Sequence, residues 1–186
     1  MRQYRKLKKQ SFYNEQYSIV PIRHEDRHLI RQWRNEQMYH LRQQTVLTEN
    51  QQDLYYNTVV AGLFEQERPD QLLFSYLEKD ACIGYGGLVH IDWMNQHAEI
   101  SFIMDTRLEK DAFEWHWKKY LPMIEELAFS ELGLHKVFTY AYDLRPLLYV
   151  ALESSGFRKE AVLNEHCYFD GRFIDVVIHS KINGYA

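Results

Sequence analysis

The chain has 186 residues, which suits one domain with a buried core and argues against a two-domain enzyme. Hydrophobic residues make up 46% and aromatic residues 15%, which excludes a disordered chain. The 22 basic and 26 acidic side chains give a net charge of −4, which argues against a general nucleic-acid binder. No apolar run approaches the roughly 20 residues of a membrane span, and Cys82 and Cys167 are too few for a disulfide framework. We therefore expect a cytoplasmic protein with reduced thiols that binds neither nucleic acid nor membrane.

The first residues differ in charge from the rest of the chain. Five of the first nine are basic, so the remainder carries 17 basic and 26 acidic side chains. No apolar run follows this basic stretch, as it would in a secretory signal. We expect residues 1–12 to be a mobile, solvated tail, with a docking role as the alternative, and residues 13–186 to form a single domain.

Alternating and β-branched patterns predict seven strands. They cover residues 17–22, 72–77, 81–91, 97–104, 136–142, 158–169 and 172–180. Asp170-Gly171, between the last two, suits a two-residue I′ turn. In the strand at 97–104, the period of two places Glu99 in mid-strand, on the face opposite the apolar row.

Capping signals and helical spacing predict four helices. They run over residues 25–36, from Thr48 to about Val60, over residues 123–132 and over residues 146–155. Thr48 and Gln51 form a capping box at the start of the second helix. Pro122 is expected in the first turn of the third helix, with residues 106–121 a long bent lead-in. The order of hairpins and crossovers predicts an α/β fold, a mixed sheet with helices on both faces.

Four pieces of the sequence resemble one enzyme family. They are Trp33-Arg34-Asn35, Ala98-Glu99-Ile100-Ser101, residues 128–137 and residues 156–177. In these pieces the chain is similar to the GCN5-related N-acetyltransferases (GNAT), in the branch of ribosomal-protein N-terminal and nucleotide-amino-sugar acetyltransferases. The resemblance implies a GNAT-like fold of about seven strands and acetyl-CoA as the acyl donor. It also implies that the fourth and fifth strands of that fold splay around the thioester arm.

The sequence departs from the family pattern where the coenzyme pyrophosphate is held. Family members carry Arg/Gln-x-x-Gly-x-Gly/Ala before the third helix, and its backbone amides cradle the anion. The glycine positions fall here at Trp115 and Trp117, and the chain has no glycine between Gly87 and Gly133. We expect Lys118 and Lys119 to supply charge-assisted donors instead, the alternative being a solvated basic pair.

The resemblance also implies the remaining coenzyme contacts and the acid. Phe102, Ile103 and Met104 lie in the strand that lines the cleft, and Arg145 stands where family members often carry Asn. The family's acidic Tyr, which reprotonates the coenzyme thiolate, is replaced by Leu152. Tyr149 lies one turn earlier on the same face and is our candidate acid, the alternative being a core aromatic.

Acetyl transfer to an amine needs a base, which contributes a rate factor of about 10²–10⁴. Glu99 is our candidate base, acting directly or through water, and the alternative is a structural carboxylate. His90 and Asp92 are weaker candidates that could also be turn residues. The backbone amide of Ile103 or Met104 is expected to stabilise the carbonyl oxygen.

Two short motifs compete with this interpretation. Residues 24–28, His-Glu-Asp-Arg-His, match the H-E-x-x-H zinc motif, but Pro21 lies just upstream, whereas zinc enzymes carry the motif well inside a helix. We therefore expect no metal. Residues 84–87, Gly-Tyr-Gly-Gly, lack dinucleotide-motif spacing and indicate a bulge or a close backbone approach.

The sequence thus predicts an acetyl-CoA-dependent N-acetyltransferase that acts on a small-molecule amine. The preferred acceptor is a nucleotide-linked amino sugar, which rests on the resemblance because a fold does not fix a substrate. One alternative acceptor is a protein N-terminus. Another alternative is a degenerate GNAT-fold binding module that has lost CoA. A homodimer is the oligomer we consider.

Overall fold

Eight strands form one sheet in the computed structural model, which describes residues 2–184. In chain order the strands are β1 (Phe12–Asn14), β2 (Tyr17–Pro21), β3 (Leu72–Glu78), β4 (Ala81–Asp92), β5 (His97–Met104), β6 (Lys136–Tyr142), β7 (Arg158–Phe169) and β8 (Arg172–Ile182). Their order across the sheet is β1-β2-β3-β4-β5-β6-β8-β7. Within the described chain, β5 and β6 are parallel and the other neighbours are antiparallel. The predicted mixed sheet is confirmed, and the additional strand is β1.

Six helices accompany the sheet over the described residues. They are α1 (Arg27–Glu36), α2 (Glu49–Tyr55), α3 (Ala61–Leu63), α4 (Thr106–Asp111), α5 (Phe113–Glu125) and α6 (Pro146–Ser154). A π-helical turn at Tyr56–Val60 joins α2 to α3, and another at Glu126–Glu131 extends α5. The capping box is confirmed, because Gln51 N donates to Thr48 Oγ1 (3.3 Å) and Thr48 N donates to Gln51 Oε1 (2.9 Å).

The helices lie on both faces of the sheet, as predicted. Ser101 of β5 lines a cavity under α1 and α2. Its neighbour Phe102 stacks on Tyr120 of α5, with ring centroids 3.9 Å apart and an interplanar angle of 5°. Successive strand residues point to opposite faces, so α1 and α2 cover one face and α5 covers the other. None of the helices in residues 2–184 combines the length and apolar composition that a bilayer crossing requires.

The prediction for residues 106–122 was wrong. Instead of a bent lead-in there are two helices, α4 and α5, which break at Ala112 (φ −141°, ψ 26°), and α5 continues through Pro122. Pro122 removes one helical hydrogen bond, at a cost of about 3 kcal/mol. Its side chain is exposed, whereas Tyr120, Leu121 and Ile124 around it are fully buried. Burial of each such side chain contributes about 1.5–3 kcal/mol, so together they outweigh the proline.

The basic N-terminal segment lies against the domain, in contrast to the expected solvated tail. Tyr4 is buried, stacks on Phe64 at 4.3 Å, and its hydroxyl donates to Leu73 O (2.7 Å) while accepting from Leu73 N (3.1 Å). Leu7 is buried as well, and Phe12 is fully buried in β1. Apolar residues spaced between the basic ones hold this segment on the domain, and the charges of the segment remain at the surface.

The glycines of β4 allow close backbone approach, as expected from the sequence. Gly87 has φ of +149°, and a Cβ atom there would lie 1.9 Å from Leu72 O of β3. A Cβ atom at Gly86 would lie 2.5 Å from the hydroxyl of Tyr120, which donates to Ser101 O (3.0 Å). Side chains at these positions would therefore separate β4 from β3 and from α5.

Gly87→Ala should lower the free energy of unfolding by at least about 1–3 kcal/mol, because Ala neither fits the space nor readily adopts this φ. Urea unfolding followed by circular dichroism measures the change. Gly62→Ala is the matched control. Among residues 2–184, no atom outside Gly62, its chain neighbours and its own helix backbone lies within 4 Å of the Cβ position, so the same substitution should stabilise by up to about 1 kcal/mol. Equal midpoints for the two variants would contradict the close approach at Gly87.

Candidate active site

A cleft opens where β5 and β6 separate. The two strands pair at His97–Lys136, Ala98–Val137 and Glu99–Phe138, and no further pair forms in the described chain. Both strands continue, β5 to Met104 and β6 to Tyr142, so they diverge beyond Glu99. The resulting space of about 560 Å³ is open to solvent. It is lined by residues 40–42, 99–103, 117, 139–142, 145 and 148. The splayed strands implied by the resemblance are thus present.

The backbone of β5 leaves polar groups directed at this cleft. Asp105 N donates to Ile83 O of β4 (2.8 Å). The peptide groups of successive strand residues point to alternate edges, so the Ile103 amide faces β4 whereas the amides of Phe102 and Met104 face the cleft edge. Of the two amides expected to stabilise a carbonyl oxygen, Met104 N therefore has the suitable direction.

Glu99 lies at the point of divergence and is only 6% exposed. Its Oε1 forms an ion pair with Nη2 of Arg42, and its Oε2 lies 3.8 Å from Nε2 of His90. Burial raises the pKa of Glu99 above its ordinary value, and the positive charge of Arg42 and contact with His90 oppose that rise. A carboxylate with a raised pKa next to an open cleft has the properties of a general base.

The weaker candidates His90 and Asp92 have different surroundings. His90 Nε2 lies 3.8 Å from Glu99 Oε2. Its φ is +50°, and it lies where the pairing register of β4 with β5 shifts. Asp92 accepts hydrogen bonds from the amides of Met94 (3.0 Å) and Asn95 (2.8 Å). The geometry of Asp92 is that of a turn residue.

Arg145 lies in the cleft near the beginning of α5. Its Nη1 is 3.4 Å from His40 Nε2 and 3.8 Å from Glu109 Oε1, and its guanidinium lies 5.4 Å from the centre of the Phe113 ring. Burial and the charge of Arg145 lower the pKa of His40 to about 3, so this imidazole is neutral. The first backbone hydrogen bond of α5 runs from His116 N to Ala112 O (3.0 Å). The backbone amides that precede His116 in α5 therefore have no acceptor within the helix and can bind other groups. A cation next to a helix N-terminus is suited to an anionic group.

Lys118 and Lys119 do not line the cleft. Lys118 Nζ pairs with Glu114 (2.5 Å), and Lys119 Nζ pairs with Glu15 (2.7 Å) and lies 4.6 Å from the centre of the Trp115 ring. Each ammonium group is thus paired with a carboxylate, that of Glu114 on α5 or that of Glu15 between β1 and β2. This arrangement corresponds more closely to the alternative of a surface basic pair.

Tyr149 also lies outside the cleft lining. Its hydroxyl donates to Asp143 Oδ1 (2.8 Å), and its ring stacks on His179 at 5.0 Å. Burial and the bond to Asp143 raise the pKa of Tyr149, so the phenol stays protonated. Two other residues near the beginning of α6 do line the cleft: Arg145, which precedes the helix, and Leu148 in its first turn.

The structure thus brings together part of the predicted site. Glu99, Phe102, Ile103 and Arg145 line the cleft, and Met104 directs its backbone there while its side chain is buried. Sequence reasoning missed Arg42, which lies in the loop before α2 with its guanidinium 4.9 Å from the centre of the Tyr140 ring. Tyr140 could have been found, because alternation in β6 places it on the same face as Phe138, the partner of Glu99. No sequence pattern around Arg42 indicates that its side chain pairs with Glu99, which is 57 residues away.

The zinc-like motif is divided between two elements. His24 to Asp26 form a 3-10 turn, and His28 lies in α1. His24 Nε2 is 3.3 Å from Asn57 Oδ1, and His28 Nε2 is 3.5 Å from Asp53 Oδ1. Across residues 2–184, no three His, Cys, Asp or Glu side chains are grouped to hold a metal ion.

Comparison with known proteins agrees with this geometry. The family model described as an acetyltransferase (GNAT) domain matches residues 19–178. The chain belongs to the GNAT acetyltransferase family. This GNAT chain is accordingly an acetyl-CoA-dependent N-acetyltransferase.

Solved structures of spermidine N-acetyltransferase from Vibrio cholerae share the fold of this GNAT chain. The structure in complex with CoA and spermine has a TM-score of 0.80 at 19% sequence identity, covering 91% of this chain and 97% of that one. The dodecameric structure in an intermediate state has a TM-score of 0.74 at 18% identity, covering 91% and 95%. Among curated protein sequences, no significant match was found. At this identity the structural likeness establishes the fold alone.

Glu99→Gln should lower kcat by about 10²–10⁴ if Glu99 is the base, because the amide cannot accept the proton. Acetyl-CoA affinity should remain within about twofold of wild type, because the substitution is nearly isosteric. Release of free thiol measures the rate, and titration calorimetry measures the affinity. An unchanged rate would remove Glu99 from the mechanism.

Arg42→Gln should move the acid limb of the kcat/KM profile to higher pH. The base must be deprotonated, so the rate rises as pH passes through the pKa of Glu99, and loss of Arg42 removes an influence that lowers this pKa. Arg42→Lys should keep the limb nearer to wild type. Arg5→Gln is the control, because Arg5 pairs with Glu67 at an exposed surface. A limb at the same pH in Arg42→Gln and wild type would contradict this role.

Proposed function

We propose that this acetyltransferase acts on a small molecule that combines one amine with a hydrogen-bonding body and negative charge, and that this acceptor is a nucleotide-linked amino sugar. The observation that carries the proposal is a second cavity next to the cleft, of about 260 Å³, between α1, α2 and the sheet. Ser101 lines both spaces, so an acceptor held in this cavity can extend its amine toward Glu99. We place the reaction in the cytoplasm, where thiols such as those of Cys82 and Cys167 stay free.

Aromatic and amide side chains form the walls of this cavity. Tyr55, Tyr56 and Tyr85 supply rings, and Gln51, Gln52 and Gln71 supply amides. The hydroxyl of Tyr56 is buried and has no hydrogen-bond partner in the described chain. Tyr56 and Tyr85 are buried, so Tyr55 is the ring of the three that is partly exposed. This ring, together with the amide and hydroxyl groups, favours an acceptor with a planar base and sugar hydroxyls over an aliphatic chain.

The charge of the cavity supports the same acceptor class. Among the described residues that line it, Arg34 is the one charged side chain, and no Asp or Glu is present. Arg34 Nη1 donates to the Tyr85 hydroxyl (2.7 Å), and Nε donates to Gln43 Oε1 (3.0 Å), which fixes the guanidinium and leaves further donors. A partly buried guanidinium with spare donors is suited to phosphate or carboxylate oxygens.

The two other acceptors fit this cavity less well. The Vibrio cholerae enzyme of similar fold acts on spermidine, a polycation, and a polyamine is therefore the second candidate acceptor for this chain. A polycation needs carboxylates, whereas the carboxylate in the cleft, Glu99, is already paired with Arg42. A protein N-terminus would have to enter between α1, α2 and the sheet as an extended chain.

The residues of the cleft would act as follows. Acetyl-CoA, when bound, supplies an activated thioester, whose acyl carbon bonds to the amine nitrogen while the carbon–sulfur bond breaks. Glu99 accepts the proton that the amine loses and passes it on to solvent, and the departing thiolate takes up one proton from solvent in the open cleft, so the protons balance. The Met104 amide would stabilise the carbonyl oxygen, which the direction of this amide toward the cleft edge supports. Arg145 and the N-terminus of α5 hold the anionic part of the coenzyme.

Purified protein should be stabilised by acetyl-CoA. A ligand at about 100 times its Kd adds about 2.7 kcal/mol to the free energy of unfolding, which a thermal-shift assay detects. Arg145→Gln should weaken this shift, because it removes the cation next to α5, and Arg5→Gln should leave it unchanged. No shift at millimolar acetyl-CoA would favour the alternative of a binding module without CoA.

A panel of acceptors tests the substrate class. With acetyl-CoA present, thiol release should be fastest with nucleotide-linked amino sugars and slow with spermidine or with peptides that have free N-termini. Arg34→Gln should raise KM for the amino sugar about tenfold or more with little change in kcat, because a charge-assisted hydrogen bond contributes about 1.5–3 kcal/mol. Faster turnover of spermidine would overturn the proposed acceptor and leave the acetyltransferase activity intact.

A further inference from the structure

Two buried polar side-chain atoms in the cleft have no hydrogen-bond partner in the described chain. They are Nε1 of Trp117 and Oγ1 of Thr139. Each residue is 3% exposed. Nδ1 of His40 is a third such atom lining the cleft, on a ring that already contacts Gln37 and Arg145. Over the described residues, eight buried side-chain atoms lack a hydrogen-bond partner, and these three line the same cleft. Leaving a buried polar atom unsatisfied is costly, so a ligand bound in the cleft would lower that cost.

Trp117 and Thr139 lie on either side of the point where β5 and β6 separate. Thr139 directly follows Phe138, the last β6 residue paired with β5. Trp117 lies on α5, edge-on to Phe102 of β5 at 5.1 Å and 84°. Packing against Phe102 fixes the orientation of the indole. The indole N–H of Trp117 on α5 and the hydroxyl of Thr139 on β6 therefore line the same cleft.

Trp117 also stands at a position where the sequence comparison above expected glycine and a cradle of backbone amides. The neighbouring Trp115 has a different environment. It is 53% exposed, and its Nε1 donates to the Tyr17 hydroxyl at 3.3 Å. Of these two tryptophans, Trp117 alone lines the cleft in the part of the chain described.

We propose that the indole N–H of Trp117 and the hydroxyl of Thr139 are hydrogen-bond partners of the pantetheine arm of bound acetyl-CoA. An indole nitrogen only donates, so it requires a carbonyl or phosphate oxygen, whereas a hydroxyl both donates and accepts. An amide presents both functions, and the pantetheine arm of the coenzyme contains two amides. This inference rests on the proposed use of acetyl-CoA.

Titration calorimetry with acetyl-CoA tests the proposal. Trp117→Phe removes the donor and keeps an aromatic ring, and Kd should rise about three- to tenfold, as expected for loss of one hydrogen bond. Trp115→Phe is the matched control, because the same substitution lies outside the cleft, and its Kd should equal that of wild type. Equal affinities of Trp117→Phe and wild type would overturn the role of the indole.

Thr139→Val provides an independent measurement, because Val has nearly the shape of Thr and lacks the hydroxyl. Without ligand, the urea midpoint of this variant should equal or exceed that of wild type, since the hydroxyl has no partner to lose. Its Kd for acetyl-CoA should rise, and Thr139→Ser should restore most of the affinity. A purely structural role would instead lower the midpoint and leave Kd unchanged, which would overturn the proposal for Thr139.

The outcomes separate this proposal from the function on which it rests. If wild type binds acetyl-CoA and both Trp117→Phe and Thr139→Val bind it equally well, the proposed contacts are wrong and the acetyltransferase function stands. If wild type shows no heat with acetyl-CoA at any concentration, the proposed function itself fails and the contacts fail with it.

Discussion

The separation of β5 from β6 after three paired residues determines the architecture of this site. A sheet normally satisfies the backbone groups of each inner strand with its neighbours, yet β5 beyond Glu99 has β4 on one edge and an open cleft on the other. The sheet stays continuous because three residues of β5 pair with β6 at its beginning, and β8 pairs with the opposite edge of β6. The backbone groups of β5 beyond Glu99 that face the cleft are thereby left without a strand partner, although β5 is an inner strand of the sheet.

The opening stays in place because the aromatic cluster on one face of the sheet is rigidly packed. Phe102 is stacked on Tyr120 and held by Trp117, while the Tyr120 hydroxyl reaches Ser101 O beside the glycines of β4. Such large side chains fix α5 along β5. The bulk of Trp117 therefore serves the fold, and its indole nitrogen has no hydrogen-bond partner in the described chain.

Electrostatic interactions divide the site into two regions. Toward α5, Arg145 is a largely buried cation that lies 3.8 Å from Glu109 Oε1 and next to a neutral His40 and a helix N-terminus. Toward α1 and α2, the pair of Arg42 and Glu99 has no net charge, and Arg34 contributes a positive one. Under the proposed function, this division would suit negative charge on both substrates, with Glu99 as the carboxylate near the reacting amine.

Local signals in the sequence determined most elements of the fold. The Thr48 capping box and the alternation that places Glu99 in mid-strand depend on residues close in the chain, and both were predicted correctly. By contrast, the path of α5 through Pro122, the docking of Tyr4 and the pairing of Arg42 with Glu99 depend on burial and on contacts between distant residues. A sequence pattern reports periodicity and capping, which are local. Only the tertiary structure decides which long-range burial outweighs a proline, or which guanidinium reaches a carboxylate 57 residues away, because those free energies arise from packing of the folded chain.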